Sequence, residues 1–277
     1  MRRALRILGK TLLVLGVLAG LALGVVYFKT QSMLKVAPYS PQVGLRQGDV
    51  AEGARLARVM GCRGCHTNDL TGDEFISEPN VFVLVAPNLT REREKYDDRA
   101  WLRLFRTGAK ADGQLAVGMP IDGFQRLTDQ EVGHLVAYVR SVPRRENPTL
   151  GRTHLYPLAR IGLLTGKFNL EDIAGDIPDS PKVLAQRDSA DRGEHIAHTA
   201  CVECHGPDLQ GGGELHTPPL IVAKGYSPDK FARLMRTGLT AAGTESASGL
   251  MSDMGRRRFS ALTDEEVADL HRYLLSR

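Results

Sequence analysis

The sequence predicts an all-α chain, with an N-terminal membrane-spanning helix followed by two tandem copies of one small helical domain. Three observations predict it. Residues 11–28 form an uncharged apolar run. Five motifs recur once each, at offsets between 130 and 139 residues. The segments carrying those motifs have helix caps and apolar residues at helical spacing, and little reads as strand.

The N-terminus comes first. As a helix, Thr11 to Phe28 would span roughly 27 Å at about 1.5 Å per residue, close to the thickness of a hydrocarbon core. Arg2, Arg3, Arg6 and Lys10 precede it, and Tyr27 and Phe28 close it. The positive-inside bias then puts residues 1–10 in the cytoplasm and everything after the anchor on the periplasmic, outer side. A cleaved signal peptide is the competing reading, but no clear small-x-small site ends the run. Residues 29–47, with Pro38, Pro41 and Gly44, read as an extended tether.

The repeat defines the rest. Domain one is placed at 48–143, a linker with four prolines at 144–188, and domain two at 189–277. Asp69-Leu-Thr-Gly72 parallels Asp208-Leu-Gln-Gly211, and Ala86-Pro-Asn-Leu89 parallels Thr217-Pro-Pro-Leu220. Trp101-Leu-Arg-Leu-Phe-Arg-Thr-Gly108 parallels Phe231-Ala-Arg-Leu-Met-Arg-Thr-Gly238, and Leu127-Thr-Asp-Gln-Glu-Val132 parallels Leu262-Thr-Asp-Glu-Glu-Val267. One repeat of this length implies duplicated domains, not a solenoid. Thr128…Glu131 and Thr263…Glu266 are capping boxes that start each last helix. Within 144–188, Leu158 to Leu164 reads as a short helix packed against a domain.

Charge excludes one class of function. The net charge is +4, but six of the 36 basic residues lie within the first 35 positions, before any acid. The remainder carries 30 basic against 32 acidic side chains, so no basic stripe marks a nucleic-acid surface.

The chemistry is carried by Cys62-Arg-Gly-Cys65-His66 and Cys201-Val-Glu-Cys204-His205, which use all four cysteines. C-x-x-C-H is the attachment pattern for c-type haem. Two thiols three residues apart lie on one turn and can add to the two vinyl groups of one porphyrin, and the following His lies under the iron. Two covalent haems c follow. A zinc site would join the two pairs and would not need a His after each. Thioredoxin-like chemistry expects a βαβ setting that is missing.

The sixth iron ligand is sought among methionines. Met119 and Met254 each lie nine residues before a capping Thr and five before a Phe, a register that favours Met254 over Met251. An isolated Met is more often core packing, and that reading is kept for Met60 and Met235. The remaining histidines, His134, His154, His195, His198, His216 and His271, have no register-matched twin and read as surface or packing residues. His216 and His198 are the reserve ligands should Met254 fail.

On these residues the chain resembles tandem class I cytochromes c, the kind found in membrane-bound dihaem cytochromes and in cytochrome subunits of periplasmic dehydrogenases. The resemblance covers 48–143 and 189–277. It implies metal ligation by His66, Met119, His205 and Met254. It also implies that Pro87 and Pro218 offer their carbonyls to the proximal histidines, and that the first and last helices of each domain cross at Gly53 with Tyr138 and Gly193 with Tyr273. Two departures stand out. Asp73 to Val85 is longer than its counterpart and apolar, suited to packing on the linker or on a partner. Arg256–Arg258 follows Met254 where Pro120 follows Met119, suited to haem propionates, to an acidic partner, or simply to a solvated basic loop.

The function expected is electron transfer between membrane-bound or periplasmic redox partners, without catalysis by the chain itself. A dihaem peroxidase-type enzyme, with domain two as the open haem site, is one alternative. A wiring subunit inside a larger dehydrogenase, oxidase or photosynthetic complex is the other.

Overall fold

A computed structural model describes residues 2–41, 43–168, 189–213 and 215–277. Residues 169–188 of the expected linker, with Pro178 and Pro181, lie outside the described residues. Helix α1 (Arg2–Met33) comes first. Domain one contains α2 (Val50–Val59), α3 (Cys62–Cys65), α4 (Leu89–Glu92), α5 (Asp98–Thr107), α6 (Ile121–Phe124) and α7 (Asp129–Ser141). A hairpin of β1 (Asp73–Glu78) and β2 (Phe82–Ala86) is inserted after α3. The linker supplies β3 (His154–Leu155) and α8 (Pro157–Leu164). Domain two contains α9 (Arg192–Ile196), a π turn at Ala197–Cys201, α10 (Val202–His205), α11 (Pro228–Thr237), α12 (Leu250–Arg257) and α13 (Asp264–Ser276).

Local chemistry sets these boundaries, and the two copies do it alike. Asp49 and Asp191 cap α2 and α9, each accepting from the backbone amide three residues on. Both capping boxes form, at Thr128/Glu131 and Thr263/Glu266. Each such cap satisfies amides the helix leaves unpaired, for about 1 kcal/mol. Gly108 and Gly238 end α5 and α11 at φ 71° and 76°, the left-handed conformation that glycine adopts without strain. Arg106, almost fully buried, ties α5 to Asp129 at 2.7 Å, and Arg236 repeats the bond to Asp264 at 2.7 Å.

First and last helices cross where the sequence places a glycine. A Cβ on Gly53 would sit 1.9 Å from the His134 carbonyl oxygen, and one on Gly193 would sit 2.2 Å from that of Asp269. The same Cβ atoms would lie 2.8 Å from Cβ of Tyr138 and of Tyr273. Backbone contact this close needs a residue without a side chain.

The domains pack face to face around one continuous apolar core running from Leu56 to Leu274. The contact is close to two-fold. Arg55 stands two residues after Gly53 and grips Glu266 with two bonds of 2.7 and 2.9 Å. His195 stands two residues after Gly193, its Nε2 2.9 and 3.0 Å from the oxygens of Glu131. Each domain thus reaches from its first helix to the capping-box acid of the other, the self-complementary pattern of an isologous interface.

Two expectations about the connections change. The first helix does not end at Phe28. It runs to Met33, and the chain after it is docked: Leu115 donates to the Leu34 carbonyl at 2.7 Å and Val36 to that of Gly113 at 3.0 Å. The long insertion is a β-hairpin, and the linker completes it as a third antiparallel strand, in the order β1-β2-β3. A second small core forms there from Leu34, Leu84, Leu155, Ala159 and Leu163. Helix α8 lies along the end of α1, with Arg160 bonding the Thr30 hydroxyl at 2.8 Å and covering the Tyr27 ring at 4.5 Å.

Candidate functional site

Each Cys-x-x-Cys-His segment sits on a single helical turn reached differently in the two domains. In domain one the chain breaks at Gly61, φ 76°, before α3. In domain two α9 passes without a break through the π turn into α10. In both, the two thiols lie one turn apart and the His follows at the end of the turn. Burial pushes the Cys62 thiol up to about 11 and the Cys201 thiol up to about 12, against the pull of the Arg258 charge. Burial likewise raises Cys65 and Cys204. Among the described residues, no group of three or more Cys, His, Asp or Glu could hold a metal ion. The two cysteine pairs thus do not come together as a zinc site among the described residues.

The histidines are oriented identically. His66 Nδ1 lies 2.9 Å from the Pro87 carbonyl and His205 Nδ1 2.9 Å from that of Pro218. A carbonyl only accepts, so each Nδ1 carries the proton and Nε2 is left with its lone pair. Burial lowers both imidazole pKa values, opposed by these bonds, so the neutral, ligand-competent form is favoured.

A further device was visible in the sequence only as a repeat. Leu70 and Leu209, in the paired Asp-Leu-x-Gly motifs, are fully buried and adopt φ of 61° and 62°. Left-handed leucine costs about 1 kcal/mol or more, and both domains retain it. The turn lets Gly72 donate to the His66 carbonyl at 3.0 Å and Gly211 to that of His205 at 2.8 Å. Leu89 and Leu220 then donate to the leucine carbonyls at 2.9 Å each. The strained turn clamps the backbone of the histidine while the proline carbonyl fixes its ring.

Met119 is half-buried in a loop that turns at Gly118, φ 82°. Met254 is also half-buried against the core, but it lies on α12, not in a loop. The register that singled it out assumed a matching loop. On the helix, Met251 and Met254 are one turn apart on one face, so α12 offers both. Met60 and Met235 are core residues. Of the unmatched histidines, His195 pairs with Glu131, His134 accepts from the Asp49 amide at 2.7 Å, His198 meets the Tyr273 hydroxyl at 3.2 Å, and His271 stacks on Phe231.

The arginine run divides. Arg256 and Arg257 are exposed and pair with Glu245 and Asp253. Arg258 is buried, so the solvated-loop reading fails for it. Its guanidinium donates to Glu203 at 2.6 Å and to the Val59 carbonyl at 2.9 Å.

The residues fit a haem. Buried nitrogen donors stand without a protein partner at Trp101 Nε1 and, at matching positions of the repeat, Arg103 Nε and Arg233 Nε. Buried donors of this kind are left for an acceptor-bearing group, which haem carboxylates would supply. The paired thiols and the neutral imidazoles are the remaining donors such a group needs on the proximal side.

Comparison with known proteins agrees. The chain is 27% identical over 261 residues to the fructose dehydrogenase cytochrome subunit of Gluconobacter japonicus. That alignment covers 82% of this chain but only 52% of the relative, so the chain spans about half the length of that protein. The family profile for cytochrome c matches twice, at residues 50–143 and 190–277. With two matches that together take in most of its length, the chain belongs to the cytochrome c family and carries that family's covalently bound haem c for electron transfer.

Proposed function

We propose that the chain binds two haems, one per domain, and relays single electrons between redox partners at the outer face of the cytoplasmic membrane. The observation that carries this reading is the duplicated cradle: Cys-x-x-Cys, a neutral His held by a proline carbonyl, and the strained leucine turn behind it. Haem iron supplies reversible one-electron chemistry, with the potential set by axial ligands and burial. In this reading His66 and His205 are the proximal ligands, and Met119 and a methionine of the Met251/Met254 face of α12 would supply the ligands on the other side. A fixed ligand set on each side minimises rearrangement between oxidation states.

Helix α1 acts as the membrane anchor in this reading. Its apolar side chains are exposed, Leu13 at 68% and Phe28 at 73%, and only a lipid phase or a partner can cover so much. Beside its outer end, α8 exposes Leu158, Ile161 and Leu164. The similarity to a dehydrogenase cytochrome subunit supports a place within a larger oxidoreductase complex, where a dehydrogenase delivers the electrons. Electron relay without catalysis by this chain follows from the same similarity.

The test is a pyridine-haemochrome assay on the purified chain, expected to give two haems, followed by a redox titration expected to show two one-electron steps. A single haem, or zinc in place of iron, refutes the reading. Retention of the chain in alkali-washed membranes tests the anchor, and co-purification in mild detergent tests the complex. Sustained peroxide turnover by the pure chain would instead favour the peroxidase-type enzyme.

A further inference from the structure

The two haem-attachment segments meet at one buried cation. Arg258 follows α12 of domain two, yet its Nε donates across the interface to the Val59 carbonyl, three residues before Cys62. Its Nη1 donates to Glu203, which stands between Cys201 and Cys204. Gly61 makes room for it, because a Cβ there would lie 2.8 Å from the guanidinium carbon. The side chain is 10% exposed, and its two bonds reach one attachment segment in each domain.

We propose that Arg258 is a single fixed charge shared by both haem sites, holding the reduction potential of each one up. This rests on the two-haem reading above. A nearby cation disfavours the ferric state, which carries one more positive charge than the ferrous, and it does so strongly only where water is kept away. Glu203 opposes it from the other end of the ion pair. That opposition leaves the sign of the Arg258 effect unchanged. Removing Arg258 takes away a buried cation and leaves the carboxylate uncompensated, and both changes favour ferric iron. Removing the Glu203 charge does the reverse. The carboxylate is 38% exposed and better screened by water, so its effect is the smaller of the two. Residues around one haem tune that haem, whereas Arg258, between the two attachment turns, tunes both.

The experiment is spectroelectrochemical titration of the full chain in detergent for R258Q, R258K and E203Q. Haem content is measured first, so that a failure of the two-haem reading is seen separately. With R258Q, both midpoint potentials should move to more negative values. With R258K, which keeps the charge but loses the guanidinium bonds, both should return toward those of the unsubstituted protein even if thermal stability does not. With E203Q, both should move to more positive values. A midpoint left in place by R258Q, or a lysine variant as low as the glutamine variant, overturns the proposal, because the effect would then be local or due to packing. If R258Q accumulates without haem, E203Q decides: a rise at both sites supports the shared charge, and no rise or a rise at one site overturns it.

Discussion

Gly53→Ala tests whether the helix crossing that builds each domain is as tight as described. The new Cβ would start 1.9 Å from the His134 carbonyl oxygen and 2.8 Å from Tyr138 Cβ, and real Cβ atoms essentially never come within 3.0 Å of such neighbours. Helices α2 and α7 would have to part by about 1 Å along their main contact. Overpacking of this kind costs about 1–3 kcal/mol, and a backbone carbonyl cannot swing aside as a flexible side chain can, so the upper end applies. Alanine returns at most about 1 kcal/mol of helix propensity. The net loss is therefore about 2 kcal/mol, or ~4–8 °C of melting temperature for two domains that share one core. Far-UV circular dichroism of the full chain in detergent reads the shift, with Gly225→Ala as control, since nothing lies within 4 Å of that position. A Gly53→Ala transition within about 2 °C of the unsubstituted protein would refute the close crossing, and with it the symmetric placement of Gly193.

A double-mutant cycle of Arg55→Met with Glu266→Gln should give a coupling of about 1 kcal/mol in thermal or urea unfolding, and Gln preserves the capping box so that only the interdomain pair is lost. Burial opposes ionisation of Glu131, but the His195 bond and charge, with the Thr128 amide and hydroxyl, outweigh it and hold the carboxyl below its ordinary value of 4.5. The stability this contact contributes is fully present above that ordinary value and is lost as pH falls through the depressed one, so Glu131→Gln should flatten the acid limb of a stability–pH curve. In ferric spectra, Met119→Leu should remove the weak far-red sulfur band of one haem and Met254→Leu that of the other; loss with Met251→Leu instead assigns the ligand one turn earlier on α12.

The helical architecture, the duplication and both attachment motifs were legible because each is written in short-range signals: caps, 3.6-residue spacing and a five-residue motif. Pro87 and Pro218 were legible through register, and their carbonyls lie where that register puts them. The hairpin was not. Val81 to Val85 is an apolar run without the alternation that marks a strand; it pairs mainly with the neighbouring β1 and, on its other edge, with His154 and Leu155, more than sixty positions away. The clamp at Leu70 and Leu209 was hidden for a related reason, since no sequence rule expects leucine at positive φ. Arg258 looked like one of three equivalent arginines, and only the packing of one domain on the other separates a buried bridge from two solvated neighbours.

The same packing bears on how such a chain moves electrons. A carrier with free domains has to search for productive encounters between its own haem sites. Here the crossed pairs Arg55–Glu266 and His195–Glu131, the shared apolar core and the Arg258 bridge hold the two attachment turns in one fixed relation. At the other end, the segment expected to be an extended tether is bonded to domain one through Leu34 and Val36, and α8 braces the end of α1. On the proposed reading, domain one is held at a set height above the membrane and domain two is held against it. Tethering ordinarily raises encounter rates through local concentration. Rigid docking goes further, because it fixes which face each haem domain presents. The search is then confined to the outer partners, and the step between the two haems is built into the fold.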